Sequence, residues 1–358
     1  MDTTQASKSS IDRPRSTRWL GFGYGAIAVL LALLFTSLIL LLVNADPLAA
    51  FSNIIVGSIG SVNKVAETLV AWVPLVLVTS GLLFTFAAGL WNIGVEGQIT
   101  LGAIFATGLL RMLQGTDLPP ALIIFLAMLA GVLGGALWAA LAGALKVFGG
   151  VNEIFSGLGL NFVATAITLW LIFGPWKRPG VGSMSGTEPF AQTLWLPVLP
   201  GLRISVWSLI VALIGLVIVF IILQGTYFGL KLKAVGKSNR SAFMLGIPTV
   251  RYMMLAFLLC GGFAGMAGAI QVTAVYHRLI PSISSGYGFL GLLVAMLVNF
   301  QPVLAALVAF FFAALNIGSI QLPIVLKLDS TLSGVLQGAL VLSVLMMDGV
   351  RRRFGKKG

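Results

Sequence analysis

The chain alternates long apolar segments with short polar ones. Most apolar runs contain about 20 residues, which as a helix cross roughly 30 Å of hydrocarbon. The period-two alternation of a barrel strand is absent, so helices are the structure that satisfies the backbone in lipid. The pattern predicts an all-α, polytopic membrane protein with about ten transmembrane helices. The predicted spans lie near 19–43, 69–90, 97–113, 121–147, 156–175, 205–224, 252–275, 286–300, 303–321 and 331–347.

Composition agrees with this prediction. Hydrophobic residues make up 58% of the 358 and charged residues only 9%, whereas a soluble domain carries about 25% charged residues. The net charge of +12 does not indicate nucleic-acid binding, because the basic residues sit between apolar runs and not on a soluble face. The single cysteine, Cys260, excludes a disulfide framework or a cysteine metal site within one chain.

Basic residues predict the orientation of the bundle. They concentrate in 1–18, 225–251 and 351–358, and cytoplasmic loops are enriched in Lys and Arg. An even number of spans puts all three segments, and therefore both termini, in the cytoplasm. The predicted division is a cytoplasmic segment 1–18, a transmembrane domain 19–350 containing the basic loop, and a basic tail 351–358.

Two segments, 44–68 and 176–204, are then expected on the outer side, where an external partner can meet them. The run 19–43 exceeds the 7–15-residue core of a cleaved signal peptide, so we interpret it as a retained first span.

A polar break interrupts the apolar pattern at 89–98. It contains glycines, which permit unwound backbone, together with Trp91, Asn92, Glu96 and Gln98. A carboxylate within a span costs about 2.5–3.5 kcal/mol on insertion scales, which makes Glu96 a functional candidate. The alternative is a short cytoplasmic turn with Glu96 in water, and composition alone leaves both interpretations open.

The basic loop 225–251 contains Gly236-Lys237-Ser238, which ends like a phosphate loop. That motif needs a glycine five residues before Gly236, where this chain has Lys231, so no nucleotide site is expected. The loop predicts instead a short surface helix over 237–245, ended by Gly246 and Pro248. Its predicted apolar side carries Ala242, Phe243 and Leu245, and its basic side carries Lys237 and Arg240. An ordinary basic cytoplasmic loop is the alternative.

The remaining polar residues favour structural roles. The spacings Gly131/Gly135 and Gly261/Gly265 predict close helix packing. Asn161 follows a break between the fourth and fifth predicted spans, where it either lines a polar path or caps a helix. With one histidine, His277, and no acidic pair at metal-binding spacing, we expect neither catalytic residues nor a metal site.

Three segments carry a family resemblance. Gly89 to Gln98 continuing to Ala103, Ala234 through Pro248, and Gly286-Tyr287-Gly288-Phe289 resemble the inner-membrane permeases of bacterial ABC importers for sugars and nucleosides. The Trp-Asn-Ile-Gly-x-Glu-Gly-Gln form is similar to the nucleoside branch in particular. The resemblance covers about residues 65–347.

The resemblance implies a type II ABC importer-like permease in the bacterial inner membrane that translocates a nucleoside. A simple sugar of the ribose or galactose type, a branched-chain amino acid, and an ion-coupled secondary transporter are the alternatives. The candidate pathway residues are Trp91, Asn92, Glu96, Gln98, Asn161, Tyr287 and Phe289. The candidate ATPase-coupling residues are Gly236, Lys237, Asn239, Arg240, Ala242 and Gly246.

The resemblance also implies partners. These are ABC ATPase subunits, a second and related permease subunit, an extracytoplasmic solute-binding protein or lipoprotein, and membrane lipid. This chain is expected to bind no cofactor itself and not to be an enzyme, because ATP and Mg would be bound by the partner ATPase.

Overall fold

The computed structural model describes residues 30–180, 186–298 and 301–327, apart from 32 and 43, and separate positions between 334 and 346. The chain divides into two compact units, one formed by 1–51 with 323–358 and the other by 52–322. In the first unit, α1 spans Leu33–Leu42. The Asp46 carboxylate there accepts a hydrogen bond from the Leu48 amide (2.9 Å), which caps the start of α2.

The described part of the chain is helical and contains no strand. The helices after α1 are α2 Pro47–Ile59, α3 Val62–Ala87, α4 Val95–Leu113, α5 Pro120–Val147, α6 Glu153–Phe173, α7 Val206–Gly225, α8 Tyr227–Lys237, α9 Asn239–Met244, α10 Thr249–Ile270, α11 Tyr287–Leu297, α12 Pro302–Ser319 and α13 Gln321–Leu326. A short 3-10 helix occupies Gln192–Leu194, and a π-helix over Gln271–Tyr276 extends α10.

The prediction of an all-α protein with several spans is confirmed. Among the described residues, six helices are long and apolar enough to cross a membrane, or seven if α1 and α2 form one broken span. The described residues do not confirm the predicted count of about ten. Helix α4 carries Glu96, Gln98 and Arg111, and α11 has only 11 residues. The predicted spans 19–43 and 331–347 lie largely outside the described residues.

Helix α3 is the central helix of the larger unit. It is apolar on all sides and almost entirely buried, which is typical of a helix surrounded by others. The Trp72 indole donates to the Ala306 carbonyl of α12 (2.9 Å), so its polar edge is also satisfied. Helices α7, α10, α11 and α12 pack directly against α3.

Helix α3 begins earlier than predicted. The second span was predicted to begin near 69, whereas the segment 44–68, which was expected on the outer side, contains α2 and the first turns of α3. The Ser61 hydroxyl accepts from the Lys64 amide (3.3 Å), and Lys64 forms an ion pair with Glu67 (2.8 Å). The cap gives the free Lys64 amide an acceptor, and the ion pair links two charged side chains in the first turns, so the helix can begin at this polar stretch.

Glycines bring α4, α5 and α10 into backbone contact. A Cβ atom on Gly131 would lie 3.0 Å from the Gly265 carbonyl oxygen and 3.2 Å from that of Gly102, and one on Gly135 would lie 2.6 Å from the Gly265 Cα. Gly261 also contacts the Gly135 backbone. The predicted packing role of these glycines is confirmed, because any side chain would hold the helices apart.

We expect Gly265→Ala to destabilise the protein, because the new methyl group would meet the Gly131 carbonyl oxygen. The expected cost is roughly 1–3 kcal/mol, as for other overpacked interiors. The matched control is Gly159→Ala in α6, where a Cβ finds nothing within 4 Å and alanine favours the helix by up to about 1 kcal/mol. Thermal unfolding in detergent measures the change in stability of each variant. Equal melting temperatures for the two variants would contradict the packing role.

Candidate functional site

Helix α3 ends in a glycine turn before the irregular segment 88–94. Gly89 has a φ of +73°, in the left-handed region that favours glycine. Its amide donates to the Phe86 carbonyl (3.0 Å), and the Leu90 amide donates to the Thr85 carbonyl (2.9 Å). This pair of bonds closes a helix at a left-handed glycine and satisfies its last carbonyls.

The irregular segment lies beside the middle of a span. The Asn92 amide nitrogen contacts the buried Cys260 sulfur at 3.1 Å, and Cys260 lies near the middle of the 28-residue apolar span Thr249–Tyr276. Irregular backbone at this depth requires partners within the protein, because hydrocarbon offers none. Of the two interpretations of the break, the structure therefore favours an interruption within the bundle over a cytoplasmic turn in water.

An amide pair holds the two ends of the break together. The Asn92 side chain donates to the Gln98 carbonyl oxygen (3.0 Å), and the Gln98 side chain donates back to the Asn92 carbonyl oxygen (2.9 Å). Both residues are buried, with 1% and 0% of their surfaces exposed. Each amide therefore depends on the other, since an unpaired buried amide costs about 1–3 kcal/mol.

Asn161 joins the break to α6. Its side-chain oxygen accepts from the Gly97 amide (2.8 Å), and its nitrogen donates to the Ile93 carbonyl (3.0 Å). The backbones of Gly94 and Gly157 touch beside it, since a Cβ on Gly157 would lie 3.1 Å from the Gly94 Cα. Asn161 thus satisfies one free donor and one free acceptor of the irregular backbone.

The Glu96 carboxylate joins α4 to the start of α11. One oxygen accepts from the Gly286 amide (3.1 Å) and the other from the Gly288 amide (2.7 Å). Ser284 and the Phe289 amide also lie close enough to interact with it. Hydrogen bonds from the two amides offset part of the cost of removing the carboxylate from water.

Three aromatic side chains flank this polar centre and keep exposed faces. The exposed fraction is 41% for Trp91 and 46% for Phe289, and Tyr287 is half-buried. Trp91 also meets Phe86 edge to face, with ring centroids 5.3 Å apart. Exposed aromatic faces suit a solute that has a flat ring.

The basic loop contains the short helix predicted over 237–245, which the structure gives as α9, and a second helix, α8, precedes it. The Ser238 hydroxyl caps α9 by accepting from the Ser241 amide (3.2 Å). The helix ends at Gly246, whose φ is +76°, where the Ile247 amide donates to the Ala242 carbonyl (3.1 Å). Both ends of α9 are therefore fixed by their own caps.

The apolar side of α9 differs from the prediction. Ala242 is buried within the chain itself, with 1% of its surface exposed, whereas Phe243, Met244 and Leu245 are 71%, 71% and 78% exposed. Ala242 is the only residue of this six-residue helix that is buried. Lys237, Asn239, Arg240 and Gly246 are also exposed.

A glycine pair connects the basic loop to the polar break. A Cβ on Gly89 would lie 3.0 Å from the Gly236 carbonyl oxygen, and one on Gly236 would lie 2.9 Å from the Gly89 amide nitrogen. The end of α8 therefore touches the turn that closes α3. Two backbones in contact, without side chains between them, move together more readily than elements joined by flexible side chains.

The segment 176–204, which was predicted on the outer side, packs along the chain that follows the π-helix. The amides of Thr187 and Phe190 donate to the carbonyls of Leu279 and His277, each at 2.9 Å. Trp195 stacks on the His277 ring with centroids 3.8 Å apart. Burial lowers the pKa of His277.

The sequence profile of one family, described as the branched-chain amino acid transport system / permease component, matches residues 64–345. The chain belongs to this permease family. The matched range agrees closely with the 65–347 expected from the three motifs.

Several curated relatives are similar over most of their length. A glucose ABC transporter permease protein, TsgB13 of Haloferax volcanii, is 29% identical over 351 residues, 95% of this chain and 91% of the relative. The guanosine ABC transporter permease protein NupP of Bacillus subtilis is 27% identical, covering 92% of this chain and 94% of the relative. The nucleoside ABC transporter permease protein NupB of Lactococcus lactis is 26% identical and covers 82% of each.

The structure brings most of the predicted pathway residues of this permease together, but in different roles. Asn92, Gln98 and Asn161 are buried partners of the break. Glu96 binds the start of α11, while Trp91, Tyr287 and Phe289 offer surface. Ser284 and Cys260 complete the centre, and sequence reasoning missed them because they are distant in the chain and carry no motif.

We expect Gln98→Leu in the permease to lower the free energy of unfolding by about 1–3 kcal/mol, because it leaves the Asn92 amide buried without its main partner. The double variant Asn92→Leu/Gln98→Leu should cost less than the sum of the single variants, since it removes both partners. Thermal unfolding of the four forms in detergent gives this comparison. Strictly additive costs would mean that the two amides are not coupled.

Proposed function

We propose that this permease carries a nucleoside inward through an ATP-binding-cassette importer. The observation that supports this substrate is the placement of the exposed faces of Trp91 and Phe289 beside the polar break. A nucleoside offers a flat base that can stack on such faces. Relatives named as guanosine and nucleoside permeases point in the same direction.

A sugar is the second candidate. The relative with 95% coverage of this chain is named as a glucose permease. Sugars also stack their apolar faces on aromatic side chains and use many hydrogen bonds, so the same groups suit them. A branched-chain amino acid and an ion-coupled mechanism are less favoured, because nothing around the described centre selects an ammonium group or forms a chain of proton carriers.

The importer we propose contains further subunits. Two ATPase subunits would bind ATP and Mg and hydrolyse ATP, a second, related permease would face this chain across the pathway, and an extracytoplasmic binding protein would deliver the solute. The relatives NupP and NupQ of Bacillus subtilis are both named as guanosine permeases, which supports a pair of related permeases. The complex would lie in a bacterial cytoplasmic membrane with both termini of this chain inside.

Helix α9 is our candidate for the contact with the ATPase. It is short, capped at both ends, flanked by exposed basic residues, and presents Phe243, Met244 and Leu245 outward. Exposed large apolar side chains on a polar loop are typical of a protein interface. The segment also touches the polar break through Gly236, so a force on α9 has a direct route into the bundle.

The substrate is tested by uptake into vesicles containing the complete complex. Labelled guanosine, adenosine or uridine should enter in an ATP-dependent way, and ribose, glucose and leucine should neither enter nor compete. If glucose or ribose enters while nucleosides neither enter nor compete, the sugar candidate replaces the nucleoside. Uptake by the permease alone, driven by an ion gradient, would overturn the ATP-driven mechanism.

The ATPase contact is tested by Phe243→Glu. A carboxylate buried in an interface without a partner costs several kcal/mol, and 1.4 kcal/mol corresponds to a tenfold change in affinity. We therefore expect at least about tenfold less ATPase to co-purify. The matched control is Val198→Glu, an exposed apolar position of the segment predicted outside, which should retain the ATPase. Equal retention in both variants would exclude α9 from the contact.

A further inference from the structure

Two helices of the permease begin at the same place inside the bundle. Helix α4 starts with Glu96 in its first turn, and α11 starts at Tyr287 after a segment that returns from the end of the π-helix. The Glu96 carboxylate receives the amides of Gly286 and Gly288 at 3.1 and 2.7 Å. The first amides of a helix have no partner within it, so these donors require an external acceptor.

A carboxylate suits this position on electrostatic grounds as well. The start of a helix carries a partial positive charge, which a nearby anion stabilises. The close approach of Glu96 also excludes a side chain at position 288, because a Cβ on Gly288 would lie 2.8 Å from the Glu96 Cα. Only glycine at that position lets the carboxylate reach the amides on both sides of Tyr287.

These contacts leave little for a solute to bind. Each carboxylate oxygen already accepts a backbone amide. A ribose hydroxyl would have to displace backbone donors that have no other acceptor. We propose that Glu96 is a positioning residue of transport, which anchors α11 to α4 and so holds Tyr287 and Phe289 in the pathway.

The anchor connects the pathway to the proposed ATPase contact. Gly89, a few residues before Glu96 in the chain, touches Gly236 at the end of α8. The amide pair and Asn161 brace the backbone between Gly89 and Glu96. A shift of α8 and α9 therefore reaches the start of α11 through Glu96. This step rests on the proposed function, whereas the anchor itself does not.

Transport by the complete complex provides the first test, with Glu96→Gln as the variant. Glutamine keeps the size of the side chain but replaces one acceptor with a donor that faces the α11 amides. We expect the maximal uptake rate to fall about tenfold or more, with KM within about twofold and an unchanged order of preference among nucleosides. More ATP should be hydrolysed per solute transported. Glu96→Asp keeps the charge, so its maximal uptake rate should lie between those of the unmodified permease and Glu96→Gln.

Hydrogen exchange of the full chain in lipid nanodiscs provides the second test and needs no substrate. Glu96→Gln should raise the amide exchange of 286–289 by at least about tenfold, since the carboxylate protects these amides. The control is Glu153→Gln, another first-turn carboxylate, which pairs with Lys146 (2.6 Å); it should leave 286–289 unchanged. If Glu96→Gln fails to fold, Glu96→Asp, whose shorter side chain holds the two amides less well, should give a smaller change in the same direction.

The outcomes separate the inference from the function on which it builds. A raised KM or an altered preference in Glu96→Gln would make Glu96 a solute ligand and overturn the positioning role. Unchanged exchange at 286–289 would overturn the anchor. Raised exchange in a complex that transports no nucleoside would support the anchor while the proposed substrate fails.

Discussion

A backbone that leaves helical geometry inside an apolar bundle must find a protein partner for every exposed N–H and C=O group. This constraint governs the centre of the permease. The Gly97 amide and the Ile93 carbonyl meet Asn161, and the amides of Gly286 and Gly288 meet Glu96. The polar side chains of the centre serve the backbone first, and the aromatic side chains around it remain free for other contacts.

Close helix packing makes these short hydrogen bonds possible. Gly102, Gly131, Gly135 and Gly265 let three helices approach until their backbones touch. Asn92 reaches Cys260 on α10 because of this approach. The central helix α3 approaches α10 in the same way, because a Cβ on Gly81 would lie 2.9 Å from the Cys260 carbonyl oxygen, while its indole donates to the Ala306 carbonyl. The close packing at glycines thus brings the polar side chains within hydrogen-bonding distance of their partners.

In the basic loop, tertiary packing decides which side of a short helix is buried. Its pattern predicted one helix with Ala242 among the interface residues, and the caps at Ser238 and Gly246 are where such a helix needs them. Packing against the bundle instead turns Ala242 inward and leaves Phe243, Met244 and Leu245 outside. A helix of six residues has too few turns for its apolar period to specify which face is buried.

The sequence by itself determined the helical class, the position of most apolar spans, the family, and the two segments that break the pattern. The length of an apolar run predicts a span, and a motif of neighbouring residues identifies the family. Both signals lie within one short stretch of sequence and need no knowledge of tertiary contacts. Only the tertiary structure decided that the break lies beside the middle of a span, that Asn92 pairs with Gln98, and that Glu96 binds the start of α11. Those outcomes depend on residues distant in the chain, such as Cys260 and Gly288, whose approach is set by helix packing and not by any local pattern.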